Sequence, residues 1–260
     1  MSQERKSRLF DRSEDEKSPI TTLTRDYPAG HIIPLHFLDR DQLVYASRGV
    51  MTVRTQSDTW VVPPQRAVWI PADVSHTITM SGSVAMRTLY LKPGLAKRLP
   101  HGCCVVNVST LLKELILYAC TSAALKRTVR WQNYLIGIVL YQLEAVQTVP
   151  LQLPHLSDSR LVRIAAILTK HPGDGRTLAE LCRVGGASKR SIERLFQEEA
   201  GMSFGKWRQQ LRLMQAMRLL AEGAKVTHAA LESGYTAPSA FISMFRKALG
   251  ITPALISNRT

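Results

Sequence analysis

The chain predicts two domains, an all-β barrel in the N-terminal half and an all-α domain with two helix-turn-helix motifs at the C-terminal end, with a helical segment between them. Three observations predict this. Residues 27–93 fall into short runs of β-branched and aromatic residues separated by turn residues, the pattern of a sandwich or small barrel. From His155 onward apolar residues recur at helical spacing. The last third also carries one helical signature twice, about fifty residues apart: Gly-Gly-Ala-Ser-Lys-Arg-Ser-Ile-Glu-Arg-Leu-Phe (185–196) and Gly-Tyr-Thr-Ala-Pro-Ser-Ala-Phe-Ile-Ser-Met-Phe-Arg-Lys (234–247). Phe196 and Phe245 correspond, as do Gly201 and Gly250, and Ser203 and Thr252. Such a repeat is one supersecondary unit used twice, here a short helix, a tight turn and a second helix with one apolar and one polar face.

Length and charge agree with that division. The 260 residues suffice for two ordinary domains. The formal net charge is +14, and residues 151–260 hold 16 Lys and Arg against 8 Asp and Glu, so the half with the repeat is the more basic per residue. A basic field suits a polyanion such as nucleic acid, although many domains are basic without such a partner. No apolar run reaches membrane-spanning length. The mixed charges of Met1–Lys17 contain no apolar stretch of a secretory signal, so 1–24 reads as a disordered leader and the protein as cytoplasmic and nucleoid-associated. Cys103, Cys104, Cys120 and Cys182 show neither metal spacing nor a disulfide framework. They read as buried reduced thiols, with adjacent Cys103 and Cys104 as the alternative of an oxidant sensor.

In chain order, the expected strands are 43–46, 51–54, 60–62, 67–70, 77–80 and 86–91, within a barrel spanning 25–95. A linker or dimerisation segment over 105–148 follows, with helices over 111–124, capped by Ser109, and 131–146, where Tyr134, Leu135, Ile138, Val139 and Gln142 recur at helical spacing. Both helices are apolar over a wide face, which serves either packing on the barrel or a homodimer interface. Residues 149–154, with two prolines, read as the inter-domain linker. A helix then runs to Lys170 and stops at His171-Pro172-Gly173, and Thr177-Leu-Ala-Glu180 is a capping box. The two helix-turn-helix motifs are placed at about 177–199 and 225–249 in a domain covering 156–257.

Each repeat offers a recognition helix. In 189–200, Ile192, Leu195 and Phe196 form the buried stripe, which leaves Lys189, Arg190, Glu193, Arg194 and Gln197 outward. Arg forks match guanine edges or phosphates, and Gln can pair with adenine. Glu198 and Glu199 would repel DNA at the far end. The second helix turns Phe241, Met244, Phe245 and Leu249 inward and Ser239, Ile242, Ser243 and Arg246 outward, with Pro238 at its start. Ile242 either meets a thymine methyl or packs on a neighbouring helix. Between the copies, 203–222 reads as one long helix, whose Arg208 and Arg212 are candidate phosphate contacts.

These residues, Gly234 to Pro253 above all, resemble the signature of AraC/XylS-type transcriptional regulators, and Leu178–Phe196 and Trp207–Leu220 are similar to the rest of that domain. The resemblance implies a domain of about seven helices that reads double-stranded DNA in the major groove through the outward positions of both recognition helices, here Arg190, Arg194, Ser239 and Ser243. Arg194 stands where the family commonly keeps a base-contacting Arg; Ser243 departs from the Arg that many members carry. The N-terminal half resembles the cupin domain that often precedes this unit, through Gly30, His36-Phe37-Leu38, Gln42 and Gly49, and then Pro71 to His76. Metal cupins hold three His and one Glu at the corresponding positions. Leu38 and Gln42 replace one His and the Glu, so no metal and no cofactor is expected. His36, Leu38, Gln42 and His76 become candidates for an effector pocket, the alternative being two satisfied core histidines in a barrel that only dimerises.

The expected function is that of a sequence-specific transcriptional regulator, not an enzyme, modulated by a small molecule in the barrel. Its expected partners are duplex DNA, an effector, a second copy of the chain and, for an activator, RNA polymerase, with no membrane. A metal-dependent cupin enzyme with a helical appendage and a non-specific architectural DNA binder are the alternatives.

Overall fold

The computed structural model describes residues 17–149 and 151–257. They form two compact units, one running up to Gln56 and from Val62 to Pro150, the other made of Ser57–Val61 and everything from Leu151. In chain order the first contains β1 (Ile20–Tyr27), β2 (Ile32–His36), β3 (Asp41–Arg54), β5 (Arg66–Ile70), β6 (His76–Leu91), β7 (Cys104–Asn107), α1 (Thr110–Ala119), β8 (Ala124–Leu125), α2 (Arg130–Glu144) and β9 (Thr148–Val149), while β4 (Asp58–Val62) belongs, but for its last residue, to the second. The antiparallel sheet runs β8-β1-β6-β3-β5-β7-β9, and β2 adds to β6.

The first 16 residues of the expected leader lie outside the described residues, and its remainder is not a leader. Ile20–Tyr27 is an edge-side strand paired along its whole length with Val84–Leu91. Its sequence, ITTLTRDY, ends in exposed Arg25 and Asp26, so only its first half shows the alternation of a half-buried strand. Runs expected as separate strands are also continuous. Residues 43–46 and 51–54 belong to the 14-residue β3, and 77–80 and 86–91 to the 16-residue β6. The register between β3 and β6 shifts on either side of Arg48, and Gly49 takes up the irregularity at φ +81°. These turn-like residues therefore bulge a long strand where they had been expected to end a short one.

One face of this sheet is covered by the two helices. Leu43, Trp69 and Leu89 pack with Leu112, Ile116 and Val139 in a single core. Ser109 caps α1 by accepting from the Leu112 amide. α1 is shorter than expected because the chain turns at Cys120–Ser122 into β8. The expected 149–154 linker is partly strand: Val149 ends β9, and Gln152–Pro154 forms β10, paired with Asp58–Trp60 in the second unit.

From there the second unit is helical: α3 (Ser159–Lys170), α4 (Leu178–Gly185), α5 (Lys189–Ala200), α6 (Phe204–Ala221), α7 (Val226–Glu232), α8 (Pro238–Leu249) and a 3-10 turn, Pro253–Leu255. Counting that turn, the described residues give the seven helical elements expected. Asp158, Thr177, Ser188 and Ser203 each accept a backbone N–H at a helix start, satisfying amides that have no partner within the helix. At Thr177 the capping box is complete, with the Glu180 carboxylate returning to the Thr177 amide. The repeat survives in three dimensions. α5 and α8 have 12 residues each, both end on a left-handed glycine (Gly201, Gly250), and Ser203 and Thr252 then start the next helical element.

Candidate nucleic-acid interface and barrel site

The first motif is α4, a turn and α5. Gly186 closes α4 at φ +68°, a backbone state that costs residues with a Cβ, and Ser188 accepts from the Ser191 amide to start α5. Ile192, Leu195 and Phe196 are buried, with the Phe196 ring against Phe204 and Trp207. That packing fixes the opposite face, and all five predicted outward residues, Lys189, Arg190, Glu193, Arg194 and Gln197, are exposed on it. Lys189 pairs with Glu193 at 3.8 Å and Arg194 with Glu198 at 2.7 Å. Such exposed i,i+4 pairs are worth only a few tenths of a kcal/mol, so neither holds its cation against a phosphate or a guanine. Glu199, expected only to repel DNA, braces the fold instead. Its carboxylate accepts the amides of Ser157 (2.7 Å) and Asp158 (3.0 Å) ahead of α3.

The second motif, α7, a turn and α8, is built differently. Its turn glycine, Gly234, has φ +78°. Ala237 provides no side-chain cap, and Pro238 opens the helix where no amide partner is needed. Phe241, Phe245 and Leu249 are buried and Met244 is only half so. Ser239, Ser243 and Arg246 are exposed, and so is Ile242 at 39 %. A β-branched residue is thus left in water on the outward face of α8.

Arg208 and Arg212, expected at phosphates, are engaged elsewhere. Both are half-buried on α6. Arg208 donates to the carbonyls of Arg176 (2.6 Å) and Asp174, and Arg212 donates to Pro172 (3.0 Å) and Asp174 (2.9 Å). The loop 172–176 has carbonyls without helical partners, and these two guanidinium groups satisfy them. The partners lie 32 to 40 residues away in sequence, so no local pattern announced the contacts.

In the barrel, His36 and His76 are cross-strand partners on β2 and β6, and their rings lie 4.3 Å apart. Both are buried. Each Nδ1 lies 2.8 Å from a carbonyl two residues earlier, Pro34 and Val74 respectively. A carbonyl only accepts, so each Nδ1 carries the proton and each Nε2 keeps its lone pair. Burial lowers the pKa of His36 and lowers that of His76 to about 4, so both rings are neutral at pH 7. The Nε2 of His76 is buried without a partner among the described residues. Leu38 is half-buried in the β2–β3 connection, and Gln42 is buried on β3 opposite Tyr90 of β6. The reading from sequence missed Tyr90 and Thr88, two residues apart on the same face of β6; Thr88 is fully buried with its hydroxyl unpartnered among the described residues. Polar residues recurring at a period of two inside an apolar strand were the available signal. Among the described residues no group of three or more His, Cys, Asp or Glu could hold a metal ion, and Leu38 and Gln42 bring no anionic donor to the two imidazoles.

Comparison with known proteins bears on both halves. Residues 18–130 match the AraC-like ligand binding domain, and 181–259 match a helix-turn-helix domain. Over 220 residues the chain is 33 % identical to the HTH-type transcriptional regulator NimR of Escherichia coli, covering 85 % of this chain and 80 % of that protein. The chain belongs to the AraC family of transcriptional regulators. This AraC-family chain is a DNA-binding regulator with an N-terminal ligand-binding domain. The HTH-type transcriptional activator RhaR of Mannheimia succiniciproducens is 23 % identical over 94 % of this chain and 93 % of its own length. Among solved structures, ToxT of Vibrio cholerae is similar at 13 % identity and a TM-score of 0.37, over 94 % of this chain and 97 % of that one. Among the described residues no helix is long and apolar enough to cross a membrane.

Proposed function

We propose that the protein reads a two-part site in duplex DNA, one block through Lys189, Arg190, Glu193, Arg194 and Gln197 of α5 and the other through Pro238, Ser239, Ile242, Ser243 and Arg246 of α8. The observation that carries this is the repeated architecture of two 12-residue helices, each held by a buried aromatic-containing stripe and each presenting its other face to solvent. The faces differ in kind. α5 offers guanidinium forks suited to guanine or phosphate, whereas α8 offers hydroxyls and an exposed methyl-bearing side chain suited to A·T-rich sequence and the thymine methyl. Arg208 and Arg212 are left out of the contact set because the 172–176 loop occupies them.

The barrel is the sensing unit in this reading. His36, Gln42 and His76 supply hydrogen-bonding groups beside the apolar Leu38, a mixture typical of small-molecule sites. Two neutral imidazoles with Nε2 lone pairs favour an effector that donates hydrogen bonds. Binding there biases DNA affinity and DNA biases effector affinity by the same factor. In this reading the regulator acts in the cytoplasm at the nucleoid, as two copies, and performs no catalytic step; RNA polymerase is a further partner if it activates rather than represses.

Selection of random duplex DNA by the purified full-length chain, with sequencing of the bound pool, tests the reading. Two enriched blocks about one helical turn, roughly 34 Å, apart are expected, the block under α8 being the richer in thymine. A pool that binds at low salt without enrichment would instead make the protein an architectural binder.

A further inference from the structure

A protein that reads two DNA blocks with two helices must hold those helices at a fixed distance and angle. Moving one block by a single base pair displaces it by about 3.4 Å and turns it by about 35° around the duplex. A binding constellation discriminates at that scale only when its members are fixed to roughly 0.5 Å and 10–20°. Along the chain, α6 joins the two motifs. One rod between two bodies leaves each free to twist about it, so a second contact off the rod is needed to set the angle.

Two glycines and one guanidinium make such a contact. The loop between α3 and α4 leads into the first motif, and the turn between α7 and α8 lies within the second. They meet backbone to backbone. A Cβ on Gly173 would fall 2.8 Å from the Glu232 carbonyl oxygen, and one on Gly234 would fall 3.0 Å from the Gly173 Cα. Arg212 of α6 seals the meeting point. Its Nε donates to the Pro172 carbonyl at 3.0 Å and its Nη2 to the Asp174 carbonyl at 2.9 Å, on either side of Gly173. The same Nη2 stands 2.7 Å from where a Gly234 Cβ would be. The planar fork thus spans loop, turn and connecting helix at once, which the point charge of a Lys does not reproduce. Arg163 of α3 has a related place in the first motif, donating to the Val184 and Gly185 carbonyls at 3.3 and 2.7 Å. The turn of each motif therefore carries an arginine from the helix before it, and that of the second motif also grips the loop that leads into the first.

We propose that Arg212 is a positioning residue for DNA reading: with Gly173 and Gly234 it locks the two recognition helices at one separation and angle, and so sets the gap between the two blocks. This rests on the two-block reading above, and the test has an arm with DNA and an arm without, so that the two ideas fail separately. In the arm without DNA, the full chain, its four cysteines replaced by alanine, carries spin labels at Glu198→Cys and Lys247→Cys, both exposed and outside the proposed contact set. It is diluted with unlabelled chain so that only distances within one molecule are read. One narrow distance distribution is expected, and Arg212→Lys, Arg212→Ala and Gly173→Ala should each shift it or make it about twice as wide. In the DNA arm, the unlabelled full-length proteins are titrated on the selected blocks with the gap one base pair shorter, unchanged and one longer. Wild type is expected to prefer one gap by about 10-fold and the three variants by less than about 3-fold, while a duplex carrying one block alone binds them all within about 2-fold. Ser203→Ala, which removes the α6 cap, controls for lost stability: its Tm should fall and its gap preference stay. A narrow, unshifted distance in all three variants would overturn the proposal, as would a gap preference lost equally in Ser203→Ala. Broadened distances beside a wild type without gap preference would uphold the lock and overturn the two-block reading.

Discussion

Arg194 and Glu198 lie one turn apart on α5, nitrogen to oxygen 2.7 Å, with both side chains more than half exposed. The pair orients the guanidinium along the helix without sequestering it, since an exposed pair contributes a few tenths of a kcal/mol and a bidentate guanine contact about 1–3 kcal/mol. Arg194→Ala is therefore expected to lower affinity for the selected site by about 1–3 kcal/mol and to flatten preference at one base pair; uniform weakening on every sequence in a mobility-shift series would reassign it to a phosphate. The buried histidines lead to a different measurement. Burial holds the folded pKa of His76 at about 4, against an ordinary value of 6.5. The unfolded chain thus binds the proton first, and stability falls as the pH drops from about 6.5 toward 4, by on the order of 3 kcal/mol over that window. His36 adds to the loss in the same direction. The Tm of the wild type should decline between pH 7 and pH 4.5, and His76→Gln should flatten that decline. An equal slope in the variant would show that this imidazole is not the titrating group.

At the level of elements, the helix turns are held by contacts of different strength. A Cβ on Gly234 would fall 2.7 Å from the Arg212 guanidinium and 3.0 Å from the Gly173 backbone, at a φ of +78°. Gly250 has a similar φ of +72° with open space around it. Gly250→Ala should accordingly cost about 1–2 kcal/mol, the left-handed backbone alone, and Gly234→Ala clearly more, because Arg212 cannot yield without releasing the Pro172 and Asp174 carbonyls. Urea unfolding of the two full-length variants checks the ranking, and equal losses would contradict it. The same elements show what the sequence made legible. α3, α4, α5, α6 and α8 were readable because caps, glycine stops and a 3.6-residue apolar period are all local signals, and the exposed face of α5 followed from its buried one. β1 was not readable, since its order comes from pairing with β6 some sixty residues on, and its polar second half carries no period of two. α2 was half readable: Tyr134, Leu135, Ile138 and Val139 looked like one broad apolar face, but the structure buries Leu135 and Val139 and leaves Tyr134 and Ile138 in water. Periodicity locates apolar residues around a helix; only packing tells which of two apolar faces is already occupied.

For the whole molecule the net charge of +14 sets the long-range attraction to DNA, but it does not say which cations meet phosphates. A charge that replaces a condensed counterion contributes to the slope of log affinity against log salt, whereas a charge engaged inside the fold contributes to stability. Arg212 is the second kind: half-buried, with two carbonyls of the 172–176 loop on its guanidinium. In the proposed reading Lys189 is the first kind, exposed at the start of α5 and loosely paired at 3.8 Å. Two alanine variants separate the roles. Lys189→Ala should leave stability within about 0.5 kcal/mol of wild type and reduce the salt slope by about 1. Arg212→Ala should leave the slope per bound molecule unchanged and cost about 1–3 kcal/mol of stability, since the half-buried Pro172 carbonyl loses its donor and the Asp174 carbonyl keeps only Arg208. Affinity measured by fluorescence anisotropy at several salt concentrations, together with thermal unfolding of the same preparations, reads both quantities. A reduced slope with unaltered Tm in Arg212→Ala would mean that DNA binding frees the guanidinium from its loop, and the phosphate role expected from the sequence would be restored.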